Sequence, residues 1–196
     1  MKTLSLITLL ALAAATALAG VTPGDAAPQF QLTDTSGKTH SLHDYLAAGH
    51  VVVLEWFNPD CPFIKKHHEL HKTMDETSAR YADEGVVWLA INSGAAGKQG
   101  AGLERNQKAV AEYEMSFPVL LDPSGEVGRA YGAKTTPHMF VIAADGTVAY
   151  AGAIDDDSSA GDLGQTNYVT AALTAVLQGA KPAVAETKAY GCSVKY

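Results

Sequence analysis

Residues 51–64 read Val51-Val52-Val53-Leu54-Glu55-Trp56-Phe57-Asn58-Pro59-Asp60-Cys61-Pro62-Phe63-Ile64. The near-continuous apolar run 51–57, with its three valines, has the composition of a strand buried on both faces. A short turn follows, and Cys61 then opens a helix whose first residue is Pro62, where a missing N–H leaves no intrahelical bond unmade. Cys61 is therefore expected at the N-cap, facing the unpaired amides of the first turn and the positive end of the helix dipole. Both favour the thiolate, which is the nucleophilic form. Lys65, one turn on, adds positive charge, and Asp60 works against it.

Working outward, the pattern predicts a helix from Pro62 to about Ala82. Phe63, Leu70, Met74 and Tyr81 share one face, and His67 and Thr77 fill the same stripe. Val86–Ile91 reads as a second buried strand, 93–102 as a Gly/Ala-rich loop, and Leu103–Met115 as a helix. Pro118–Leu121 is a short apolar segment ending in the turn signal Asp122-Pro123, and Glu126–Tyr131 is a helical turn stopped by Gly132. Met139–Ala143 and Val148–Ala151 flank Asp145-Gly146, a hairpin signal. Val169, Ala172, Leu173, Val176 and Leu177 recur at helical spacing up to Gly179. This order implies an α/β sandwich with a mixed sheet, because the first crossover joins parallel strands and the hairpin adds antiparallel ones.

The 196 residues are 47% apolar and 18% charged with a net charge of −7, which is ordinary globular composition. No run of basic residues exceeds Lys65-Lys66, so there is no electrostatic footprint for nucleic acid. Two cysteines, Cys61 and Cys192, exclude a disulfide-dense scaffold and a four-cysteine metal site. Residues 1–19 place Lys2 before an apolar stretch ending in Ala17-Leu18-Ala19, the layout of a signal peptide. Cleavage there is expected to leave a domain over 20–179, a tail over 180–196 carrying Cys192, and no membrane segment. The expected location is exported, periplasmic or extracellular, in an oxidising compartment.

Four features together resemble the redoxin branch of the thioredoxin-like superfamily, alongside the alkyl hydroperoxide reductase and thiol-specific antioxidant proteins. They are Pro23-Gly24-Asp25-Ala26-Ala27-Pro28-Gln29-Phe30; the strand–Cys–Pro–helix junction at 51–63; Phe117-Pro118-Val119-Leu120-Leu121-Asp122 with Tyr131-Gly132; and Thr135-Thr136-Pro137 before the 138–151 strand and hairpin. Gly191-Cys192-Ser193-Val194-Lys195 is similar to the end of a bacterial exported subgroup. The resemblance implies a three-layer α/β/α thioredoxin-like fold and thiol-based redox chemistry without a cofactor. It implies a cis bond at Thr136-Pro137 beside the catalytic Cys61, and a buried acid, Glu55, that assists proton transfer. Implied partners are protein thiols or disulfides, a thioredoxin-like reductant and, in the peroxidase branch, peroxide.

The chain also departs from those relatives. The slot for a second cysteine one helical turn after Cys61 holds Ile64. Peroxiredoxin positions seven and three residues before the cysteine hold Leu54 and Asn58, and Arg129 stands about two turns too early to serve a peroxide.

Cys192 is expected on a tail able to swing onto Cys61. It then either resolves a sulfenic acid or mixed disulfide there, or forms a permanent staple; the residues leave both open. His67 and His71 have a metal-compatible i, i+4 spacing, so a soft-metal module using Cys61, Cys192 and a histidine is an alternative. Against it, His67 is expected in the core, and His68 and His71 toward solvent. His138 follows the proline and either approaches Cys61 or points away. Asp155-Asp156-Asp157 reads as a solvated turn. Glu55 is either the buried proton carrier or an edge residue paired with a lysine.

Overall fold

A computed structural model describes residues 20–196. The signal-peptide reading falls on residues 1–19, outside the described residues.

The strands are β1 (Gln31–Asp34), β2 (Thr39–Ser41), β3 (Val51–Trp56), β4 (Val86–Asn92), β5 (Val119–Leu121), β6 (Thr135–Thr136), β7 (Met139–Ile142), β8 (Val148–Gly152) and β9 (Cys192–Ser193). The helices are α1 (Leu42–Ala47), α2 (Pro62–Lys65) running into a π-helical turn (Lys66–Leu70), α3 (Thr73–Ala82), α4 (Leu103–Glu112), α5 (Glu126–Tyr131) and α6 (Tyr168–Leu177).

Seven strands form a mixed sheet in the order β2-β1-β5-β4-β3-β7-β8. Strand β3, inside the sheet, pairs parallel with β4 and antiparallel with β7. Every residue of β3 is buried, Glu55 included, as expected of a near-continuous apolar strand covered on both faces. Alternation sends Val51, Val53 and Phe57 into one core with α3, α4 and α6, and Val52, Leu54 and Trp56 into the other with α1 and α5. The sheet is thus the middle of three layers. At the β7–β8 hairpin, Gly146 takes φ +85, a conformation that favours glycine. Asp145 caps the turn by accepting the Thr147 amide at 2.9 Å.

The helix expected over 62–82 is broken. After four α-helical residues the backbone widens into the π turn, and Lys72 adopts a left-handed φ of 52 before α3 begins. Leu70, placed on the apolar stripe by α-helical spacing, is 61% exposed. A π turn holds one more residue per hydrogen-bonded loop than an α turn, so side chains beyond it rotate off the extrapolated face.

Candidate active site

Cys61 occupies the N-cap of α2 in extended conformation (φ −83, ψ 126) with Pro62 behind it. The sulfur differs from expectation in its partner. It makes no cap hydrogen bond to the first-turn amides; the thiol donates to the Thr136 carbonyl at 2.9 Å. Cys61 is 1% exposed and packs in the core with Phe57 and Ile64.

The turn before it is fastened from α4. Tyr113 Oη donates to the Pro59 carbonyl at 2.6 Å, and Arg105 pairs with Asp60 at 2.8 Å. Arg105 thereby offsets the negative charge that Asp60 brings near the cysteine. Asn58 takes the Asp60 amide at 2.9 Å and donates to the Gln99 carbonyl at 3.2 Å, tying the 93–102 loop to the site. Spacing gave no signal for Arg105 or Tyr113, because both come from a distant helix.

The Thr136–Pro137 bond is cis. Thr136 belongs to β6, whose partner is β9, with Thr136 opposite Cys192 and Thr135 opposite Ser193. Cys192 therefore lies beside Cys61. Both are free thiols. Burial first, and then the adjoining Cys61, push the Cys192 thiol up to about 11, with Lys195 pulling the other way.

In this structure residues 185–196 are docked on the body of the domain. The Ala151 amide binds the Ala185 carbonyl at 3.0 Å, and Thr187 Oγ1 accepts the Ala153 amide at 2.9 Å. Tyr196 Oη donates to the Ala133 carbonyl at 2.8 Å. Arg129 lies 4.6 Å from the centre of the Tyr196 ring and donates to the Ser124 carbonyl, so it serves the tail and not Cys61.

Glu55 is fully buried and faces a histidine, not an edge lysine. His68 Nε2 lies 2.7 Å from Glu55 Oε1, and Trp88 Nε1 donates to Oε2 at 3.1 Å. His68, expected toward solvent, is itself fully buried. Its Nδ1 lies 3.4 Å from Asp75, an ion-pair contact longer than a well-formed hydrogen bond. Burial opposes its charge, but Glu55 and Asp75 outweigh burial and raise its pKa to about 9. The π turn explains the misplacement, since it rotates His68 inward.

His67 is buried as expected, whereas His71 is half-buried and contacts the Gly161 carbonyl at 2.6 Å. His138 hydrogen-bonds the Lys134 amide and packs on Phe140, not on Cys61. Asp155, read as part of a solvated turn, is 3% exposed. It accepts the Tyr190 hydroxyl and lies 3.8 Å from the buried Lys66 Nζ. Among the described residues, no three His, Cys, Asp or Glu side chains converge to hold a metal ion.

The redoxin family model matches residues 22–169. The chain belongs to the redoxin family. It is 30% identical over 125 residues to the thiol-disulfide oxidoreductase ResA of Bacillus thuringiensis, covering 64% of this chain and 66% of that relative's length. A hypothetical protein of Sinorhizobium meliloti matches with a TM-score of 0.78 at 28% identity, over 91% of this chain and 96% of its own. A putative thiol:disulfide interchange protein DsbE from Chlorobium tepidum matches with a TM-score of 0.55 at 29% identity, over 66% and 83%. The redoxin has the thioredoxin-like fold.

Proposed function

We propose that this redoxin is a thiol–disulfide oxidoreductase in which Cys61 is the attacking thiol and Cys192 the resolving one. The pairing of Thr136 with Cys192, while the Thr136 carbonyl holds the Cys61 thiol, carries this reading. The slot left apolar by Ile64 is supplied from the far end of the chain. The names of the ResA and DsbE relatives point to the same chemistry.

The Cys61 thiolate attacks one sulfur of a substrate disulfide, forming a mixed disulfide and expelling the other sulfur as a thiolate. Cys192 then attacks Cys61, forms the Cys61–Cys192 bond and releases the second substrate sulfur; its proton goes to a leaving thiolate. The substrate gains two electrons and two protons, and the pair loses them. An external dithiol, of the thioredoxin-like class, restores the two thiols. Burial and the adjoining Cys61 raise the Cys192 pKa to about 11, which suits a thiol that keeps its proton until the mixed disulfide forms. Glu55, bound to His68 and Trp88, is the buried acid of this reading. Peroxide fits less well as substrate, since Arg129 is committed to Tyr196. The N-terminal layout of residues 1–19 supports export to an oxidising compartment.

A second reading, a permanent staple, draws on the near-complete burial of Cys61 and the docked tail. Thiol trapping across defined redox potentials separates the two. A cycling pair reduces with thioredoxin-strength dithiols, Cys61→Ser abolishes insulin reduction, and Cys192→Ser accumulates mixed disulfides on Cys61. Resistance of the bond to such dithiols, or full activity of Cys61→Ser, overturns the exchange reading.

A further inference from the structure

Two positions before Cys192, the tail is gripped by groups that the exchange reaction itself does not use. Tyr190 Oη donates to Asp155 Oδ1, lies 2.9 Å from His67 Nε2, and receives a long contact of 3.5 Å from Lys66 Nζ. With the hydroxyl proton given to Asp155, His67 donates through Nε2, and its buried Nδ1 has no partner among the described residues. Lys66 is fully buried and donates to the carbonyls of Asp157 at 2.7 Å and Ser159 at 3.1 Å, which wraps the 155–159 loop around it. The Tyr190 ring lies 5.8 Å from that of Phe63 and covers Lys66 at 5.2 Å. Three of these partners, Phe63, Lys66 and His67, stand on the helix that Cys61 opens, so one element presents both the thiol and the clamp on the tail. Lys66 and His67 open the π turn of that helix and are both buried, and irregular turns of this kind cluster at functional sites.

A sulfur on a free tail must lose the tail's conformational freedom each time the disulfide closes. One already seated beside its partner has a high effective concentration. We propose that Tyr190 is a positioning residue. Its hydroxyl, shared by Asp155 and His67, latches Gly191–Cys192 against Thr136 and thereby sets how strongly the Cys61–Cys192 disulfide is favoured over the dithiol. The latch rests on the exchange reading above and adds to it the group that tunes the redox poise. Burial and the Asp155 bond both raise the Tyr190 pKa, so the hydroxyl keeps its proton across physiological pH.

The test is the equilibrium constant between the full-length protein and a glutathione redox buffer, read by thiol trapping, for the wild type, Tyr190→Phe, Asp155→Asn and the double variant. Tyr190→Phe keeps the ring on Phe63 and removes only the hydroxyl. Its disulfide is expected to be about tenfold easier to reduce, on the scale of one net hydrogen bond, equal to about 30 mV for a two-electron couple. Asp155→Asn is expected to move the constant the same way, and the double variant to add little beyond the larger single effect. Should Tyr190→Phe fail to fold by circular dichroism, Asp155→Asn decides. A wild-type protein that forms the disulfide, with variants within twofold of it, overturns the latch and leaves the exchange reading standing. A wild-type protein that never forms it overturns the exchange reading and the latch with it.

Discussion

Thr136 stands directly opposite Cys192 in the two-residue antiparallel ladder, and its carbonyl accepts the Cys61 thiol at 2.9 Å. One peptide unit thus positions both sulfurs: strand register places the tail cysteine, and a hydrogen bond places the helix cysteine. The reduced protein is closed, because β9 covers Cys61. With Cys61 1% exposed, an electrophile is expected to reach it only when the tail lifts.

Gly191 makes that closure possible. It takes φ +129, and a Cβ there would meet the Thr136 carbonyl oxygen at 2.2 Å. A backbone oxygen cannot retreat as the end of a side chain can, and L side chains rarely adopt this φ. Gly191→Ala is expected to lift Cys192 and Ser193 from β6. In a Cys192→Ser background, the alkylation rate of Cys61 with iodoacetamide should rise at least severalfold on adding Gly191→Ala. An unchanged rate would mean that the tail does not control access.

Cys192 owes its elevated pKa first to burial and second to Cys61. Cys61→Ser removes only the second cause. The Cys192 pKa should therefore fall from about 11 yet stay above the ordinary 9, as read by thiolate absorbance against pH. A value at or below 9 would show that the tail is undocked in solution.

Much of this arrangement was legible in the sequence, and what was hidden has specific causes. Val51–Phe57, the Pro62 junction and the Asp145-Gly146 hairpin carry their own signals, because composition and turn chemistry act locally. The Thr136-Pro137 site followed from family resemblance. The break at Lys72 was invisible, since a lysine at φ 52 carries no Gly or Pro to announce it. The error there propagated: a helix extrapolated straight through the π turn sends His68 to solvent and Leu70 inward, the reverse of what is found. The docking of Cys192 was hidden because two residues of ladder hold no readable alternation. Asp155 looked solvated because its partners, Lys66 and Tyr190, lie far away along the chain.

Tyr113 donates to the Pro59 carbonyl at 2.6 Å inside the core, and the remaining partner of that oxygen, Arg105, is 3.4 Å away. Tyr113→Phe keeps the ring and leaves a buried acceptor poorly served. A loss of about 1–2 kcal/mol in urea unfolding is expected, with unchanged m-value. Arg105→Ala, at a partly exposed ion pair, should lose less than about 1 kcal/mol.

His67 and His68, neighbours on the π turn, should push stability in opposite directions with pH. Burial, aided by Lys66 and resisted by Asp155, lowers the His67 pKa from 6.5 to about 3. Its stabilising contribution is therefore complete above 6.5, the value it regains on unfolding, and is lost as pH falls toward 3. His68 is raised to about 9 by Glu55 and Asp75 against burial. Its contribution is complete below 6.5 and is lost as pH rises through 9. Tyr113, Phe57 and Phe117 pack on His68 and supply no competing charge. Unfolding free energies measured by urea from pH 4 to 10 should show His67→Gln flattening the acid side alone and His68→Gln the alkaline side alone. Glu55→Gln should also flatten the alkaline side, with a loss at pH 7 on the order of 3–5 kcal/mol, because it leaves a buried imidazolium without its main counter-charge. An alkaline slope that survives both His68→Gln and Glu55→Gln would place the titrating group elsewhere.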